Sequence, residues 1–147
     1  MLESVREFLR LFEDASPAEV HSSERLCEAL DRLLLTYHES SNIAPDTNAQ
    51  PPSLSYDEVR ERVRRSFPDF GFYAVAAPEN MPPSAVMVGD AIDDLADIYK
   101  DLSGVAWLLE NGNDADALWQ FRFDFQSHWG RHLLNLRSYL HWRLYEQ

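Results

Sequence analysis

Cysteine is almost missing from this chain: Cys27 stands alone among 147 residues. No internal disulfide can form, which agrees with a reducing cytoplasm, the expected compartment. Long apolar runs are missing as well. Stretches such as Val105-Ala106-Trp107-Leu108-Leu109 fall far short of the roughly 20 residues that cross a bilayer, so no membrane span is expected. Glu3 and Glu7 sit among the apolar residues of the N-terminus, a pattern unlike a secretory signal. Basic charge is scarce, with 13 Lys+Arg against 25 Asp+Glu and a net charge of -12. Nucleic-acid binding draws on a basic surface that releases counterions, and this balance opposes it. GxGxxG loops, P-loops, GxSxG elbows and HExxH pairs are all absent, which removes the common nucleotide, hydrolase and zincin signatures.

What is present reads as helix. Glycine numbers only 5, strand-like alternation is rare, and helix-start signals recur. Ser16-Pro17-Ala18-Glu19 combines an N-cap serine, proline at the first helical position and a glutamate closing the capping box. Val20, Leu26, Cys27, Leu30, Leu33, Leu34 and Tyr37 follow it at helical spacing, placing Cys27 in the core register and not at a reactive site. The pattern predicts a first helix over about 2–14 and a second over about 17–39. Residues 40–54, with three prolines, read as a long loop. Ser55-Tyr56-Asp57-Glu58 is a second capping box, opening a short helix anchored by Val59, Val63 and Phe67. Residues 68–84 read as irregular; Phe72–Val75 is a brief extended piece without a partner to make a sheet. A fourth helix is expected from about Asp90, or slightly earlier, to Glu110, closed by Asn111-Gly112. Asp114 is expected to cap a fifth, running to about Tyr145. The fold expected is all-α, an up-and-down bundle of four to five helices in a single domain, 1–147.

One polar constellation stands out. At about 100° per residue, Asp90, Asp94, Asp97 and Asp101 fall within an arc of roughly 60° on the fourth helix. The stripe flanks an apolar face of Ile92, Leu95, Ile98, Tyr99 and Leu102. Asp124, His128, Arg131 and Asn135 share one side of the last helix; Arg122 points into its apolar face, and His132 lies at the edge. Residues 81–120 hold eight acids and one base, whereas 121–147 hold four arginines against two acids. Packing those helices together would bring Asp94, Asp97 and Asp101 to Arg122, Asp124, His128, Arg131 and His132.

Two accounts compete for that seam. The plainer one is an ion-pair lock, with Arg122 buried against Asp94 or Asp97, because a buried guanidinium is normally paired. The other is a small-molecule site. Asp124, His128 and His132, at i, i+4 and i+8, have plausible metal-ligand spacing, and bundles do build divalent-metal sites from facing carboxylates and histidines. His38 is a conceivable third imidazole, whereas His21, His38 and His141 otherwise read as surface residues. A filled, dry seam would leave only the lock, and a solvent-connected pocket lined by at least three of Asp94, Asp97, Asp101, His128, Arg131 and His132 would mark a site.

The blocks Gly89-Asp90-x-x-Asp93-Asp94-Leu95-Ala96-Asp97-Ile98-Tyr99-x-Asp101-Leu102 and Trp119-x-Phe121-Arg122-Phe123-x-Phe125-x-x-His128-Trp129-Gly130-x-His132 resemble domain-of-unknown-function family 5063. The resemblance implies a bacterial protein and carries no activity with it. Two functions follow from the residues. The first is a non-enzymatic acidic module that binds a basic protein surface or regulates a partner. The second is a metal-assisted hydrolase of a phosphorylated small molecule, with carboxylates on the metal and Arg122 or Arg131 on the phosphate.

Overall fold

The computed structural model describes residues 2–13, 22–83 and 85–147. Helix α4 (Ala91–Asn111) is the axis on which the fold is built. Helices α1 (Glu3–Glu13), α3 (Tyr56–Ser66), α5 (Asp114–Asp124) and α6 (Gly130–His141) all pack against it, and α2 (Ser23–Glu39) closes the bundle across α1 and α6. The apolar face read for α4 is the buried one: Ile92, Leu95, Ile98, Tyr99 and Leu102. Leu95 and Leu102 meet Trp129, Leu133 and Leu136 in one core, all with no exposed surface. Each such side chain contributes about 1.5–3 kcal/mol of burial. The molecule is a mostly α bundle, as the helical periodicity predicts.

The ends follow from capping chemistry. Ser22 caps α2, its hydroxyl accepting from the Arg25 amide, and Ser55 caps α3. The capping box at Ser16 and the helix start at Pro17 lie outside the described residues, as does His21. Cys27 is buried in the core, and desolvation pushes its thiol above the ordinary range, as suits an inert residue. Asn113, and not Asp114, caps α5: its side-chain oxygen accepts from the Asp116 amide.

Two features depart from the sequence reading. Phe72–Val75 (β1) does find a partner, Met87–Asp90 (β2), in an antiparallel pair with Tyr73 opposite Gly89. The hairpin leads directly into α4, so residues 87–89 are strand and not early helix. The last helix is also not one regular rod. Between α5 and α6 lies a π turn, Phe125–Trp129, and a second, Trp142–Glu146, ends the chain's helical path. At the first, the Gly130 amide donates to the Phe125 carbonyl five residues back. Ala117, Phe121, Phe125, Trp129 and Leu133 face inward at successive steps of four. A regular helix would drift about 40° at each such step, and the wider π turn absorbs the drift. Gly130 is required there, since a Cβ would stand 2.3 Å from the Phe125 carbonyl oxygen.

Candidate functional site

The two π-linked halves, α5 and α6, lie along α4, and the acidic stripe of α4 meets two histidines. His132, from the first turn of α6, reaches Asp94 through Nδ1 at 2.7 Å and Asp97 through Nε2 at 3.4 Å. His128, from the π turn, places Nδ1 2.6 Å from Oδ2 of Asp101. Ionised carboxylates accept and do not donate, so each ring donates from Nδ1, and Nε2 of His132 faces Asp97. One nitrogen of each ring and a carboxylate oxygen of Asp97 lie within 4.8 Å of one another. A divalent ion at their centre would find two imidazoles and one carboxylate.

Asp94 is the buried member, its side chain 8% exposed. Its second oxygen accepts the hydroxyl of Tyr73, which arrives from β1 across Gly89. The Tyr73 ring lies so close over Gly89 that a Cβ there would come within 2.6 Å of it. Glycine at 89 is therefore what lets the ring cross to α4. Burial, and then the bond to Asp94, push the Tyr73 hydroxyl's pKa well above its ordinary value, so it stays a donor. The bond from Asp94 outweighs burial to raise the pKa of His132, with Asp97 and Asp93 adding to it. Asp93 and Asp101 are shifted up mainly by burial. Asp90 caps α4 by accepting from the Ile92 and Asp93 amides and pairs with Arg60 of α3 at 2.7 Å.

Not every predicted member joins. Arg122 is half-buried but meets no carboxylate among the described residues: it donates to the Tyr37 and Ser40 carbonyls and the Ser40 hydroxyl, over the Tyr37 ring. The sequence reading carried a 3.6-residue phase through the whole rod, whereas the π turn rotates α5 relative to α6 by about one residue. That rotation sends Arg122 to the C-terminal end of α2, where cations complement the dipole. Arg131 is exposed and forms no ion pair among the described residues. Asp124 accepts from Gln120 at 2.7 Å instead of joining the histidines; burial holds its carboxyl up at about 6. Asp97 takes its place beside the two rings. His38 is exposed on α2, edge-on to Tyr37, and stands outside the cluster, and His141 is exposed near Glu146. Asp94, Asp97 and His132 are largely buried and paired, while the His128 side chain is 46% exposed. The adjoining cleft holds one of the six residues expected to line a pocket, Asp101, fewer than the three that would mark a site. Asp124, outside those six, lines it as well.

Sequence reasoning missed two contributors. Tyr73 was hidden because its partner strand lies more than ten residues away. Asp116 was hidden because its role is long-range: it accepts from the Asp46 and Thr47 amides and the Thr47 hydroxyl, tying the 40–54 loop to α5. Those bonds lower its pKa. The run of inward residues at steps of four was the available signal for the π turn.

Comparison with known proteins adds a family and a fold. Residues 1–146 match the family described as Domain of unknown function (DUF5063). No curated protein matches the chain. A crystal structure of protein BF1032 from Bacteroides fragilis is similar, with a TM-score of 0.73 and 20% identity over 99% of this chain and 90% of that one. At that identity the likeness concerns the fold alone.

Proposed function

We propose that this chain, which belongs to the DUF5063 family, is a divalent-metal-binding protein whose site is Asp97, His128 and His132. One observation carries the reading. Each histidine gives its Nδ1 proton to a carboxylate, Asp94 for His132 and Asp101 for His128, and so presents its other nitrogen as a ligand. Such carboxylate–histidine pairs orient metal-binding imidazoles and raise their basicity. The surrounding charge agrees: Asp93, Asp94, Asp97, Asp101 and Asp124 lie on this side of α4 and α5, and among the described residues Arg60 is the one arginine that pairs with any of the five, reaching Asp93. A divalent ion would offset that surplus.

Two imidazoles and one carboxylate suit zinc, manganese or ferrous iron. Three protein ligands at a half-exposed position leave coordination sites for water, the arrangement of hydrolytic and not of purely structural centres. The reading is thus metal-assisted hydrolysis. Of the two arginines expected to meet a phosphate, Arg122 serves α2, and Arg131 is exposed. A second reading, an interaction module, draws on the hairpin, where Phe72 and Val88 on one face are 74% and 77% exposed. Thermal melting with zinc or manganese separates the two. A metal centre raises the melting temperature, and His128→Ala removes the shift; an interaction module alone shows no shift with either ion.

A further inference from the structure

Next to the histidine pair, a cleft of about 170 Å³ opens between residues 50–54 and the facing sides of α4 and α5. Its wall includes Gln50, Lys100, Asp101, Gln120 and Asp124. Asp101 belongs to both places: it lines the cleft and accepts from His128. Pro51 packs 3.5 Å from where a Cβ on Gly104 would stand, so the loop rests directly on α4. Asp116 holds the same loop from below through residues 46 and 47. The cleft therefore has a fixed wall.

Its charges are specific. Lys100 is the only lysine in the chain and pairs with no carboxylate among the described residues. Asp124 accepts from Gln120 through Oδ2 and has no other hydrogen bond among the described residues. A phosphate dianion here would meet one ammonium and two carboxylates. A simple amine would satisfy the acids but face Lys100. A neutral sugar would hydrogen-bond both groups but neutralise neither charge. Only a ligand with separated opposite charges answers both walls. The volume is below that of pockets for drug-sized ligands, about 300–1,000 Å³, and suits a compact molecule.

We infer that this cleft takes a small zwitterion of the amino-acid class, its carboxylate on Lys100 and its ammonium on Asp124. The inference rests on the metal reading, for which it names the substrate class: the ligand would lie against Asp101, beside His128. Gln50 and Gln120 add neutral hydrogen-bonding groups for the ligand's side chain or leaving portion.

The test is calorimetry on full-length protein loaded with zinc and freed of excess ion. The probes are the proteinogenic L-amino acids, the decarboxylated amine of the tightest, and inorganic phosphate. At least one amino acid should bind, while its amine and phosphate bind at least about tenfold more weakly, the worth of a lost charged hydrogen bond. Lys100→Met and Asp124→Asn, each compared in the zinc-loaded state, should weaken the amino acid by a similar factor. Coordination of the amino acid to zinc alone would survive Lys100→Met, so undiminished binding in that variant overturns the inference. So does zinc-loaded protein that binds no amino acid, or that prefers phosphate; those results leave the metal reading standing. Failure of the wild type to hold zinc overturns both. Lys100 is solvent-accessible and its replacement should not unfold the protein, which a matching melting curve verifies.

Discussion

His132 and Asp94 form the tightest bond between the acidic stripe and α6, with Nδ1 2.7 Å from Oδ1, while Tyr73 donates to the other oxygen of the same carboxylate. This three-residue relay begins on a surface hairpin and ends at a ring whose other nitrogen faces Asp97 at 3.4 Å. Asp94 and Tyr73 are positioning residues in this account. Tyr73→Phe should weaken zinc binding about tenfold, and Asp94→Ala by up to about 100-fold, the range for partners of metal-binding histidines. Competition against a chromogenic chelator measures both. Wild-type affinity in Asp94→Ala would mean that His132 is oriented by packing alone.

The pKa shifts give a pH dependence with a definite sign. His132 titrates higher in the folded state than its unfolded value near 6.5. Its pair with Asp94 therefore stabilises fully below that value, and the contribution is lost as pH rises through the folded pKa. Asp124, raised to about 6, acts in the same direction. The metal-free protein should lose stability in urea between pH 5 and pH 8, and His132→Gln should flatten the slope. Metal affinity runs the other way, strengthening by up to about tenfold per pH unit for each proton the ion displaces.

Asp116 shows the opposite linkage. Its folded pKa is lowered, first by the Thr47 hydroxyl and then by backbone amides. The stabilisation is present above the unfolded value near 3.9 and disappears as pH falls through the folded one. Asp116→Asn should melt lower than wild type at pH 7, with the gap closing in acid. An equal gap at pH 7 and at pH 2 would show that shape, and not charge, anchors the loop.

Gly130→Ala separates a π turn from an ordinary helix by sign. In a regular helix, alanine would stabilise by about 1 kcal/mol. Here the added methyl meets the Phe125 carbonyl at 2.3 Å and should cost about 1–3 kcal/mol, read from urea midpoints. The same variant should weaken metal binding, because the turn sets His128 relative to His132.

The parts legible in the sequence were those with a regular period. The α4 stripe of Asp94, Asp97 and Asp101 could be placed because α4 is an uninterrupted helix, and capping boxes located the start of α3. The phase of α5 could not be carried back from α6, since one π turn displaced it, and Arg122 was misplaced for that reason alone. Asp124 has the neater ligand spacing, on the histidines' own helix, yet Asp97 is the carboxylate that reaches both rings. Spacing on one helix says nothing of which carboxylate the neighbouring helix delivers. The hairpin was missed for a similar reason: β1 and β2 are separated by residues 76–86, and strand pairing across such a loop leaves no local periodic mark.

The most direct test of the metal centre is a zinc titration by calorimetry at pH 7.5 on wild type, Asp97→Ala and His132→Ala. The account predicts one saturable site in the wild type and a loss of at least about 100-fold in each variant, since each removes a charge-bearing or imidazole ligand. The absence of saturable binding in the wild type, or undiminished affinity in both variants, would contradict it.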